Sequence, residues 1–286
     1  MTAFRLFLLF LLLIVSGVRA APPGKWAPAA SPWDRKLGTH RVIVKVAAVA
    51  PAVHIHMDWR RPDHNPEKKG VLVVDLASGR EIPNVLTKNI QSESGDVTFE
   101  PVSGAGEYAV YFLPVKIEGG AFPVSHYLPP QNKANPEWAK RAEGAPEAEV
   151  VRWEAISAHD AWNEMEVIAT AEETEALAKK AEDGMMIFVT GPEQAVRIPD
   201  RLPAIWTGPS TDAAKVKSPP RAPVFQVAVW AVDRPLKNVR LEIAESDSGD
   251  PKFTCLSTEG VDWNGRPFSR TIDIPAGHIQ PLWIAR

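Results

Sequence analysis

The chain has 286 residues, with 32 basic and 35 acidic side chains and one cysteine. That mildly acidic balance, with no basic cluster larger than Arg60-Arg61 or Lys68-Lys69, argues against a nucleic-acid partner, because phosphate binding needs concentrated Lys and Arg. A single thiol, Cys255, excludes an internal disulfide, so any core must rest on apolar burial.

Residues 1–20 read as a secretory signal peptide. Arg5 gives a basic start, Leu6 to Val15 is an unbroken apolar run, and Ser16-Gly17-Val18-Arg19-Ala20 supplies the small residues for cleavage after Ala20. The run falls short of the about 20 apolar residues a bilayer core requires. The expectation is export, to the periplasm or outside the cell, with no membrane attachment after cleavage. Losing Arg5 and Arg19 leaves 30 basic residues against 35 acidic ones.

Residues 21–38, rich in Ala, Pro and Trp and without periodicity, predict a flexible leader. Strand patterning begins near Arg41. Val42, Val44 and Val46 alternate, and after Pro51 the series Val53, Ile55, Met57 and Trp59 alternates against His54, His56 and Asp58, the two-residue period of a half-buried strand. Val71 to Val74, Thr98 to Pro101 and Glu107 to Leu113 read as further strands, with turns at Ser78-Gly79 and between Gly104 and Gly106. Together they predict an antiparallel β-sandwich over residues 39–127. Residues 128–148 read as a linker with one helical turn around Glu137 to Glu143.

Residues 149–214 predict a small α+β segment. Thr170 and Glu173 form a capping box, Glu172 and Glu173 suit the positive start of a helix, Gly184 supplies a stop, and Met185 to Val189 reads as a buried strand. Residues 215–286 open with a polar linker to Pro223 and then predict a second β-sandwich module. Phe225, Val227, Val229 and Ala231 alternate, Val239, Leu241 and Ile243 share a face, and Phe253 to Leu256, Thr271 to Ile274 and Ile279 to Ile284 are short runs. A sheet that stops on such a run would leave edge groups unpaired, which points to a truncated chain. The fold class is therefore mainly β: two β-sandwich-like modules joined by a small α+β segment with one clear helix. Cys255, inside a strand pattern and with no helix start or His beside it, reads as a small buried core residue.

Several constellations bear on chemistry. His54, His56 and Asp58 would share one strand face and are competent zinc ligands, although solvated polar residues on a half-buried strand give the same pattern. Trp59, Arg60 and Arg61, ahead of Pro62-Asp63, could form a carbohydrate platform of one indole and two guanidiniums; a buried Trp with an Arg–Asp pair fixing the turn is the favoured alternative, since structural ion pairs in loops are common. Glu164 and Glu166 are paired acids of the kind glycoside cleavage uses, or simply solvated ones. Asn264-Gly265 marks a hairpin, on which Trp263 and Phe268 either face a sugar or pin the turn to the core. There is no nucleophile elbow, phosphate loop or zinc-protease His pair.

Taken in order, Trp59 to Asp63, Trp162 to Thr170, Thr258 to Trp263, Gly265 to Phe268 and Ile279 to Trp283 resemble exported bacterial proteins related to glycoside hydrolase family 123. The resemblance covers most of residues 40–286. It implies the amino-terminal β-sandwich part of such a protein, ahead of a (β/α)-barrel that carries the catalytic carboxylates and uses the substrate's acetamido group. No catalytic residue and no cofactor carries over to this chain. The partners implied are a glycan or polysaccharide and a catalytic barrel of the same parent protein. The alternatives are a free-standing extracytoplasmic glycan-binding protein and, last, a metallohydrolase built on His54, His56 and Asp58.

Overall fold

The structure is a computed structural model of the chain, and it describes residues 26–131, 133–207, 224–243 and 253–286. The signal peptide expected at 1–20, the first part of the leader and the linker expected at 215–223 lie outside those residues.

The described elements run β1 (Ala27–Pro28), β2 (His40–Val46), β3 (Val53–Met57), β4 (Val71–Asp75), β5 (Val85–Lys88), β6 (Gly95–Phe99), β7 (Gly106–Phe112), β8 (Val115–Glu118) and β9 (Val124–Tyr127). There follow helix α1 (Pro136–Arg141), β10 (Glu149–Ala155), helix α2 (Ala171–Ala178), β11 (Met185–Thr190), β12 (Val224–Ala231) and β13 (Leu236–Val239). The last are β14 (Thr254–Cys255), β15 (Glu259–Val261), β16 (Pro267–Ser269), β17 (Ile272–Ile274) and β18 (Ile279–Ala285). The fold is mainly β, with α2 its one clear helix.

The first unit stacks a five-stranded sheet, ordered β1-β10-β2-β7-β4, on a three-stranded sheet, β3-β6-β5. Between them lie Val42, Val44 and Val46 of β2, Val53, Ile55 and Met57 of β3, Val97 and Phe99 of β6, and Tyr108, Val110 and Phe112 of β7. Those of β2, β3 and β7 are the alternating positions of the sequence, whereas β6 begins at Gly95, ahead of the run expected at Thr98 to Pro101. Each fully buried aliphatic side chain contributes on the order of 1.5–3 kcal/mol. The five-stranded sheet is covered on its other face too, where Ile43, Ala109 and Tyr111 pack beneath Trp33 and Leu37. Burial on both faces is why Val42 to Val44 of β2 and Tyr108 to Phe112 of β7 are continuous apolar runs. The Tyr108 hydroxyl donates to Gly104 O at 3.0 Å and accepts from Ser103 N at 3.1 Å, fixing the turn before β7.

The second unit is a four-stranded sheet, β11-β12-β18-β14, with the β13–β17 pair against one face and α2 against the other. Thr170 caps α2 through Glu173 N at 3.1 Å, and Glu173 reciprocates on Thr170 N at 3.0 Å, the capping box expected. Leu177 of α2 meets Phe188, Trp206, Ala228 and Trp230, and the Phe188 and Trp206 rings stack with centroids 4.1 Å apart. Cys255 is buried between the layers, with Ile274, Leu282 and Ile284.

Four expectations are corrected. Residues 26–38 are no leader: Trp26 is 3% exposed, β1 pairs with β10, and Trp33 lies over Arg41. Aperiodic tryptophans hid this, since a strap that crosses a core has no repeat to read. The stretch at 128–148 is no bare linker, because α1 buries Trp138, whose Nε1 donates to Pro51 O at 2.8 Å. Of the segment expected at 149–214, the described residues 149–207 do not form a unit of their own, since β10 joins the first sheet and β11 the second. Finally, β18 is not an unpaired last strand. It runs between β12 and β14, bonded on both sides.

Candidate functional site

Segment 59–63 leaves β3 and turns across the seam between the two units. Trp59 is fully buried; its Nε1 donates to Gln91 O at 2.7 Å and its ring packs on Phe112, with centroids 5.3 Å apart. The ring also presses on Gly95, where a Cβ would stand 2.5 Å from the indole Cζ2. Arg61 is fully buried and grips Asp63 at two points, 2.6 and 2.9 Å, while Lys69 Nζ gives the same carboxylate a third bond at 2.7 Å. Burial alone would raise the Asp63 pKa, but the bonds from Arg61 and Lys69 outweigh it and hold the carboxyl below its usual range.

Arg60 turns the other way. With a left-handed backbone (φ 44°), it reaches Glu173 at 2.7 and 3.0 Å, and its carbonyl accepts Ile168 N at 3.2 Å. Its own N–H and that of Arg61 donate to the Glu93 and Ser92 carbonyls of the β5–β6 turn, and Glu93 Oε1 in turn accepts Ala171 N at 2.7 Å. One pentapeptide thus binds the sandwich, the β5–β6 turn and the start of α2. The carbohydrate platform expected at Trp59, Arg60 and Arg61 is therefore corrected. The indole is closed in by Phe112 and Gly95, and the guanidiniums are turned onto Asp63 and Glu173.

His54, His56 and Asp58 lie, as expected, on the outer face of the three-stranded sheet. His56 Nδ1 is 2.7 Å from Asp96 Oδ1 and its Nε2 is 3.2 Å from Asp58 Oδ1; His54 Nε2 stands 3.7 Å from Asp96. Partial desolvation would lower the His56 pKa, but the Asp96 hydrogen bond and the two carboxylate charges outweigh it and raise it. The residue that completes the cluster, Asp96 on β6, faces His56 across the ladder and was invisible in the His-x-His-x-Asp pattern. Among the described residues, no three His, Cys, Asp or Glu side chains are grouped so as to hold a metal ion.

Glu164 and Glu166 sit in a turn, not on a strand. Glu164 accepts from Gln194 Nε2 at 2.7 Å, and Glu166 caps Asn163 N at 3.0 Å. Met165 between them is buried under α2. Glu166 serves the local turn, whereas Glu164 is exposed and pairs with a residue 30 positions away.

Trp263 is the reverse of Trp59. It stands 93% exposed at the tip of the β15–β16 hairpin. Asp262 Oδ1 accepts Asn264 N at 2.9 Å and Arg266 N at 2.8 Å, and Gly265 takes the left-handed conformation (φ 77°) the tight turn requires. The indole is displayed on a fixed tip and does not pin the hairpin to the core.

A cleft of about 580 Å3 opens at the seam, which no sequence pattern indicated. Gln91 to Glu93, Thr174 and Glu175 of α2, Asp200, Arg201 and Trp230 are among the residues that line it. Asp200 is 3.5 Å from His64, whose other ring nitrogen is 3.3 Å from Arg201.

Residues 31–156 match the family described as Glycoside hydrolase 123, N-terminal domain. The chain carries an N-terminal region related to glycoside hydrolase family 123. This family 123 region is less than half of the chain and ends one residue past β10. It contains both sheets of the first unit except β1, and the Trp59–Asp63 joint except its partners Ile168, Ala171 and Glu173. Trp263 and most of the cleft lie beyond it. No curated protein and no solved structure matches the chain. Among the described residues no helix is long and apolar enough to cross a membrane.

Proposed function

We propose that this chain is the non-catalytic amino-terminal part of an exported glycoside hydrolase, supporting or presenting glycan to a catalytic barrel of the same parent protein. The observation that carries the reading is the family 123 match over residues 31–156, which encloses the first sandwich. The engagement of candidate residues read from the sequence supports it. Glu164 and Glu166 are engaged by Gln194 and Asn163, and the Arg60 and Arg61 guanidiniums hold structural carboxylates. Export rests on the charge, apolar run and small residues of positions 1–20.

The test is turnover of chromogenic 2-acetamido glycosides by the purified chain. No release is expected from this polypeptide alone. Release that disappears when one of its own carboxylates is replaced, Glu164 or Glu166 first, would overturn the non-catalytic role. Fractionation of cells expressing the full chain tests export; material confined to the cytoplasm with residues 1–20 still attached would reject it.

A second reading, a free-standing glycan-binding protein, is favoured by one observation: Trp263 is displayed almost fully exposed on a hairpin tip that Asp262 holds rigid. An indole face so fixed offers stacking area to a sugar at little entropic cost. Glycan-array binding that survives Trp263→Ala would remove this site.

A further inference from the structure

Among the described residues, three nitrogens in the core of the first unit meet no hydrogen-bond acceptor: Trp26 Nε1, His40 Nε2 and Arg61 Nη1. Their residues are 3%, 2% and 0% exposed. All three border the Phe112 ring, Trp26 edge-on at 5.7 Å, His40 stacked at 6.0 Å and the Arg61 guanidinium carbon at 5.0 Å. Trp26 and His40 also touch each other edge to face, with centroids 5.0 Å apart.

Two of the three share one chemical sense outright, and the third joins them when Thr39 donates to His40. Indole and guanidinium nitrogens only donate. The Thr39 hydroxyl lies 3.0 Å from His40 Nδ1. With that hydroxyl donating, the imidazole hydrogen resides on Nε2, which makes it a third donor. The Asp160 backbone comes near the ring, yet Nε2 forms no bond of proper geometry with it. Each buried donor left unmet costs roughly 1–3 kcal/mol, and three around one ring would be a heavy penalty in a well-packed core. Arg61 and Lys69 both rest on Asp63, and the Asp160 carboxylate, paired with Arg35, adds a further negative charge near His40.

We propose that Trp26, His40 and Arg61 form an internal binding site for a small hydrogen-bond acceptor, a water oxygen or a halide ion, beside Phe112. Such a guest would join the strap that carries Trp26 to β2 and to the turn after β3, elements with no direct polar bond at this point.

The experiment is crystallisation of the full chain in matched sodium chloride and sodium bromide, with anomalous data at the bromine edge. Ordered density within about 3.5 Å of at least two of the three nitrogens is expected. An anomalous peak there identifies a halide; equal density in both salts without one identifies water. No density, or protein acceptors on these nitrogens, overturns the site. In solution, the Trp26 indole N–H should show a cross-relaxation peak with water or a bromide-dependent shift, assigned by its loss in Trp26→Phe. Neither signal would also overturn the proposal.

Discussion

Arg60 and Glu173, 113 positions apart, form a two-point ion pair at 2.7 and 3.0 Å that joins the sandwich to the first turn of α2. Glu173 serves twice, since the same carboxylate closes the capping box on Thr170. The side chains are 9% and 22% exposed, so loss of one partner leaves a poorly solvated charge. Arg60→Ala should therefore cost about 3 kcal/mol, read as a fall in the urea midpoint at constant slope. Glu173→Gln, which retains an acceptor for Thr170 N, should cost less. Equal midpoints for wild type and Arg60→Ala would refute the joint.

The two tryptophans should separate cleanly. Trp59→Ala empties a fully buried site and is expected to destabilise by about 3–5 kcal/mol. Trp263→Ala removes an exposed ring and should change stability by less than about 0.5 kcal/mol, while abolishing whatever glycan binding the chain has. Thermal melts beside a glycan-binding assay distinguish them.

Gly95 on β6 faces the Trp59 indole with no room for a methyl group; Cζ2, Cη2 and the Ile90 Cδ1 would lie at 2.5, 2.6 and 2.9 Å. Gly95→Ala should cost about 1–3 kcal/mol through displacement of the ring. Near-ultraviolet dichroism should change with it, because the asymmetric setting of Trp59 is what the variant disturbs. An unchanged spectrum and midpoint would show that the ring yields freely.

Acid should weaken the fold through His40. Burial is the largest influence on its pKa, lowering it from the ordinary 6.5 to about 4. Between those values the unfolded chain binds the proton and the folded chain does not, so stability falls as pH drops from 6.5 towards 4 and is level above. The full effect is about 3 kcal/mol. His56 works in the opposite direction: its raised pKa adds stability below 6.5 that is lost as pH rises through the folded value. Unfolding measured from pH 4 to 8 in wild type, His40→Phe and His56→Gln separates the two slopes. A His40→Phe curve parallel to wild type would contradict the assignment.

The sequence carried the parts of this fold that repeat. Val53, Ile55 and Met57 face inward because period-two alternation is written locally, and the Thr170–Glu173 cap needs only four consecutive residues. Trp59, at the end of the same alternation, was legible as a buried position with an Arg–Asp pair fixing the turn beside it, but its fit against Gly95 of β6 and Gln91 of the β5–β6 turn was not, since those contacts are not written locally. Arg60 could not be paired with Glu173, nor His56 with Asp96, by any spacing rule, because each pair forms only after two distant segments meet. Trp26 was missed for a different reason. A single aromatic plug on an irregular strap has no neighbours in register to announce it.

The two-residue strand β1 has a practical consequence. It lies along the outer side of β10 and contributes Pro28, which has no N–H with which to recruit a further strand. The boundary of the family match, residue 31, falls just after it. A fragment cut at that boundary would discard this cap together with the Trp26 plug, leaving a bare sheet margin next to a hollowed core. Such a fragment should oligomerise or precipitate where one beginning at Trp26 stays dispersed, so the smallest well-behaved piece of this protein starts before its recognisable domain does.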